Sequence, residues 1–168
     1  VGELLADLHQ FAIFYCRMAL GAEGDADLKK AFHDLRDVDV EVAYPFLLEV
    51  YADFDQGLLT KQDFIAIVRL VESYVFRRAV CQIPPNSMNK TFAGLGRLVD
   101  KTRYLESVQA QILLLSSQRK FPSDDEFLTG IKTRDLYRFL RAKYWLRKLE
   151  NHKRKEPISV DDYTIEHI

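Results

Sequence analysis

The sequence predicts an all-α protein: a multi-helix bundle of about seven to eight helices with a short extended C-terminal tail. Three observations carry this. Apolar residues recur at three- and four-residue steps in segment after segment, the pattern of helices with one buried face. Short stops made of glycine, proline or a capping residue separate those segments. Only the last residues, "DDYTIEHI" (161–168), read as an extended, β-branched run.

The elements follow in order. Over 3–20, Leu4, Leu5, Leu8, Phe11, Ala12, Tyr15 and Ala19 form one stripe, and Gly21-Ala-Glu-Gly24 breaks it. Asp25 or Asp27 caps a second helix through about Asp37, burying Leu28, Ala31, Phe32 and Leu35. The segment 40–55 continues with Tyr44, Leu47, Leu48 and Tyr51; Pro45 lies in its first turn, where a helix tolerates proline best, and Gln56-Gly57 ends it. Thr60 with Asp63 resembles a capping box and opens the most strongly patterned helix, to about Cys81, with Pro84-Pro85 as its stop. A helix over 86–99 is weakened by Gly94 and Gly96. Thr102 caps one through about Gln118. Ser123 with acids in the following turn starts a short helix over 124–131, and a long helix follows over about 134–151. Pro157 forces an extended exit. The helical domain is thus 1–157, with 57–60 and 120–123 as places where it can divide into lobes, and 158–168 stands apart.

At 168 residues one domain is the default, and 48% apolar content is enough to fill its core. A net charge of −1 excludes a chain whose bulk charge binds nucleic acid. Cys16 and Cys81 sit in apolar helical stretches and read as buried free thiols of a reducing, cytoplasmic setting. The start lacks the basic region and apolar run of a signal peptide, and the longest apolar run is far too short for a membrane span, so no membrane partner is expected. The chain opens on Val rather than Met, almost directly in a helix, and reads as a piece cut at both ends. No metal-ligand spacing, glycine-rich phosphate loop or serine–histidine arrangement is present. His9, His33 and His152 read as surface or interhelical residues.

Charge is concentrated in one place. Between Lys132 and Lys155 the chain carries about +8, opposed only by Asp135 and Glu150. On a helix, Arg134, Arg138, Arg141 and Lys148 fall on one stripe with Trp145, and Arg147 lies close by. Such a stripe can track a phosphate backbone, which makes these five the DNA-binding candidates. The competing reading is a solvated face paired with acids such as Asp124, Asp125 and Glu126. Arg77 and Arg78 end an apolar helix, where arginine favours the negative end of the helix dipole; with Asn89, after the double proline, they are structural or inter-domain candidates.

Four stretches occur in a telling order: "VESYVFRRAVCQIPPNSMNKTF" (71–92), "FPSDDEFLTGIKTRDLY" (121–137), "AKYWLRKLENH" (142–152) and "DDYTIEHI" (161–168). Together they resemble the helical region of the GmrSD-like proteins, prokaryotic modification-dependent (type IV) restriction systems. In that family helices join a ParB-like nucleotide-binding module to a C-terminal HNH-type nuclease of the His-Me finger class. The resemblance implies that 158–168 is the first strand of the nuclease, truncated here. It implies that His167 is the HNH general base, drawing a proton from the water that attacks the scissile phosphate. It further implies a divalent ion (magnesium or manganese) and a nucleoside triphosphate for the intact protein, with phage DNA as substrate. The metal ligands and the proline loop of that motif are absent from this chain, so the fragment itself is expected to be inactive and to need no cofactor. The alternative is a helical protein–protein interaction module with no DNA role; it predicts an exposed apolar patch and a basic segment tied up in internal ion pairs.

Overall fold

A computed structural model describes residues 2–160 and 162–164. Among these residues the protein has eight α-helices and no β-strand: α1 (Gly2–Ala19), α2 (Ala26–Val38), α3 (Tyr44–Asp55), α4 (Lys61–Val80), α5 (Met88–Leu95), α6 (Tyr104–Leu113), α7 (Asp124–Thr133) and α8 (Ala142–Glu150). The all-helical class is as the periodicity requires. Residues 158–160 and 162–164 form a short tail without helix or strand, with the Tyr163 amide closing a turn onto Val160 O.

The helix starts are set by local chemistry. The Asp25 carboxylate accepts from the Asp27 and Leu28 amides, Thr60 Oγ1 accepts from the Asp63 amide, and Ser123 with Glu126 makes a reciprocal capping box. The stops are local too. α3 ends with Gly57 at φ 76°, the Leu58 amide donating to Asp53 O and the Gly57 amide to Phe54 O. α4 ends in the same way on Gln82 at φ 57°, so the chain has turned before it reaches Pro84-Pro85.

Three boundaries differ from expectation. The helix after Thr102 begins at Tyr104 and ends at Leu113; Asp100, not Thr102, supplies the capping carboxylate, for a preceding 3-10 turn. The stretch 86–99 holds only α5 between two 3-10 turns. The long helix over 134–151 is reduced to α8. Residues 134–141 are irregular, because the Asp135 carboxylate takes the Tyr137 amide in a turn and the chain bends to bury Phe139.

α4 is the central element, packing against α2, α3, α6 and α7. Its Phe64, Ile67, Val68, Val71, Tyr74 and Val75 are essentially inaccessible. One buried cluster runs from Phe14 and Met18 of α1 to Phe139, Ala142 and Tyr144 at α8. α1 joins it only at its C-terminal end, and every residue from 2 to 13 is exposed. Neither cysteine is buried: Cys16 is exposed and Cys81 half-buried, because α1 turns Phe14 and Met18, not Cys16, to the core.

Candidate functional site

The basic segment does not form a helical stripe. Arg138 is almost fully solvated and lies 3.6 Å from Asp135. Arg134 stacks 4.7 Å over the Phe139 ring, and its Nε is buried without an acceptor. Arg141, just before α8, donates from Nε to Val38 O at 2.6 Å and from Nη2 to Asp39 O at 3.3 Å. It therefore caps the carbonyl end of α2, where a cation also meets the negative end of the helix dipole. Burial lowers its pKa, with Asp39 the opposing charge.

Arg147 and Lys148 turn inward. On α2 and α4, Asp34 and Glu72 are nearly inaccessible, and both are ringed by cations. Lys148 Nζ lies 2.9 Å from Asp34 Oδ2 and 2.9 Å from Glu72 Oε1. Arg69 reaches both carboxylates, with Glu72 Oε2 at 2.6 Å. Arg147 Nη1 lies 2.7 Å from Asp34 Oδ1, and its Nη2 pairs with Asp37. The Asp34 contact and charge both hold Arg147 in its protonated form against burial. The Tyr144 hydroxyl donates to Glu72 Oε1. Burial alone would raise the Asp34 pKa, but the hydrogen bonds and charges of Lys148 and Arg69 outweigh it and hold the carboxyl at about 2. Three cations against Asp34, Asp37 and Glu72 make a neutral seam that ties α8 to α2 and α4. Of the acids 124–126, Asp124 pairs with Arg77 and Glu126 with Lys120.

Arg77 and Arg78 end α4 but point away from its carbonyls. Arg77 donates to Pro122 O at 3.2 Å and lies over the Phe121 and Phe127 rings. Arg78, 1% exposed, donates to Gln118 O, Pro84 O and Ser87 Oγ, stitching two loops to α4. Asn89 is exposed on the first turn of α5; Ser87, donating to Gln118 O at 2.8 Å, closes the turn instead. His167 lies outside the described residues. Ahead of it, Asn151 exchanges two hydrogen bonds with the Ile158 backbone, at 3.0 and 2.8 Å, and so fixes the start of the tail. A cavity of about 380 Å³ lies between α8 and the tail, walled by Leu146, Leu149, Val160 and Tyr163.

Sequence reasoning missed Asp34, Glu72 and Asn151. For the two acids a signal existed: each sits at the edge of its helix's apolar arc, a place where an acid needs a buried partner. Among the described residues, no helix is long and apolar enough to cross a membrane, and no group of three or more His, Cys, Asp or Glu is placed to hold a metal ion.

The other conspicuous surface is α1. Leu4, Leu8, Phe11 and Tyr15 follow a four-three-four spacing, the seam of a helix that packs against another helix. Leu4, Leu5 and Leu8 are all 60% exposed or more. Compared with known proteins, the chain matches no family model, no curated protein and no solved structure.

Proposed function

We propose that this chain is a helical scaffold domain of a GmrSD-like modification-dependent restriction protein, with α1 as the surface on which a neighbouring protein module seats. The observation that carries this is the stripe of Leu4, Leu5, Leu8 and Phe11. It runs along about two turns, some 10 Å, of a helix whose C-terminal end is locked into the core. Leucines without flanking basic residues complement an apolar protein surface, not phosphates, and contiguous exposed apolar area of this kind marks an interaction site.

The internal neutralisation of Arg147 and Lys148 supports a scaffold role for α8 over a DNA-contacting one. The ordered resemblance supports placing a nuclease after it, with His167 as general base. The resemblance assigns the divalent ion and the nucleotide to the adjoining modules. The inter-domain geometry would then depend on the seam under α8 and on the Asn151–Ile158 clasp, which sets where the tail leaves the bundle.

The test uses the protein with its natural flanking sequence, assayed on modified and unmodified phage DNA with magnesium or manganese and nucleoside triphosphate. Cleavage lost in His167→Ala, and reduced ten- to a hundredfold in Leu4→Ser/Leu8→Ser, is the expected result, since interface anchors are worth about 2 kcal/mol or more. Cleavage that survives His167→Ala moves the active site elsewhere. Cleavage unchanged by the leucine pair removes α1 from the module interface. No cleavage of any DNA by the unsubstituted protein favours a second reading, an interaction module without a DNA role. The exposed stripe and the internally paired basic helix suit that reading equally.

A further inference from the structure

Arg78 and Arg141 line one small cavity, and among the described residues neither forms a salt bridge with a carboxylate, the Asp39 charge acting on Arg141 only at longer range. The cavity lies between the C-terminal half of α4, the Ile83–Met88 turn and the residue before α8, and measures about 90 Å³. Its remaining walls are apolar: Val75, Ala79, Ile83, Pro85 and Met88. Arg78 is 1% exposed, every acceptor it uses is a neutral carbonyl or hydroxyl, and its Nε is buried with no acceptor at all. Arg141 spends Nε and Nη2 on two backbone carbonyls, both neutral acceptors. Two arginines therefore line one low-dielectric space, and Arg78 keeps a buried Nε–H to spare. This is unlike Arg69, Arg77 and Arg147, each of which has its acid. An uncompensated buried charge is costly, and guanidinium is the side chain best shaped to bind a planar or tetrahedral oxyanion.

We propose that this cavity is a binding site for a single phosphate group, held by Arg78 from the α4 side and Arg141 from the α8 side. A dianion balances the two arginines. The volume has room for roughly three waters, the bulk of one small oxyanion, and is well below the size of pockets that enclose whole organic ligands. The bound group is therefore inorganic phosphate or the terminal phosphate of a nucleotide whose remainder stays outside. Because Arg141 also caps α2, an occupied site would join α4, α2 and the segment leading into α8 through one anion.

The test is isothermal titration calorimetry on the full chain with sodium phosphate at constant ionic strength, beside sodium acetate and a nucleoside monophosphate. Two variants accompany it: Arg141→Gln, which removes one charge, and Ala79→Leu, which fills the cavity and leaves both arginines in the sequence. One-to-one phosphate binding that weakens at least about tenfold in both folded variants is the expected result. A nucleoside monophosphate binding more tightly than free phosphate identifies the nucleotide as the source; equal or weaker binding identifies the free ion. The Arg78 Nε–H resonance, followed on the unsubstituted protein, shifts on phosphate addition if the site is real. No heat and no shift at ten millimolar phosphate, tighter binding of acetate than of phosphate, or binding indifferent to both variants overturns the proposal.

Discussion

Asp34→Asn isolates the charge seam that fastens α8 to the bundle. The substitution keeps the shape and removes the charge that Lys148, Arg69 and Arg147 share. Its cost follows from the pKa. Holding this carboxyl at about 2 instead of 3.8 is worth about 2.5 kcal/mol at neutral pH, at 1.36 kcal/mol per pH unit. Asp34 is 2% exposed at its side chain, so solvent screening removes little of that. The cations left short of a counter-charge add to the loss, which is expected at about 3 kcal/mol, near the lower bound for breaking a buried pair. For a chain of this size that lowers Tm by roughly 6–12 °C. The sign fixes the pH dependence. A carboxyl whose folded pKa is depressed contributes stability that is present above 3.8 and lost as pH falls through 2. The advantage of the unsubstituted protein over Asp34→Asn should thus be nearly constant from pH 7 to 4.5, then shrink by about 1 kcal/mol by pH 3. Urea unfolding followed by circular dichroism at pH 7, 4.5 and 3 measures it. A difference below about 0.5 kcal/mol at pH 7 would mean that the seam contributes no more than an exposed pair. A difference that does not change between pH 4.5 and 3 would refute the assignment of the effect to this carboxylate.

The buried tyrosines predict an alkaline limit. Burial, and then the hydrogen bond to Glu23, pushes Tyr51 up to about 12, while burial with Asp53 raises Tyr104 and burial with Glu72 raises Tyr144. Stability held below pH 10 is then lost as pH climbs through 12, and phenolate absorbance should show these three tyrosines ionising together with unfolding; their ionisation in the folded state near pH 10 would contradict the packing. Two glycines in helices should respond with opposite signs. A Cβ at Gly94 meets nothing within 4 Å, so Gly94→Ala should stabilise by about 0.5–1 kcal/mol. At Gly130 it meets Val80 Cγ1 and Val80 O, both at 3.1 Å, so Gly130→Ala should push α7 off α4 and cost about 1–3 kcal/mol. Thermal denaturation of both variants checks the pair, and equal effects would argue against the close α4–α7 approach.

The features legible from the residues alone are those that three or four neighbours decide. Asp25, Thr60 and Ser123 cap helices because the amides they bind lie two or three residues away. The buried stripes of α2 and α4 follow from a 3.6-residue period that needs no knowledge of what covers them. The same locality misled the reading at 134–151, where the apolar and basic period persists but the backbone does not follow it. There the irregular turn lets Phe139 enter the core and brings Arg141 to the carbonyls of Val38 and Asp39, about a hundred residues earlier in the chain. Only tertiary structure decided which acids neutralise the basic segment: Asp34 and Glu72 across the bundle, not the nearby 124–126. It alone also brought Arg78 and Arg141 to one cavity, and left the front of α1 uncovered. The physical reason is that caps and periodicity are set by bonded neighbours, whereas charge compensation and burial depend on which distant helices a face happens to meet.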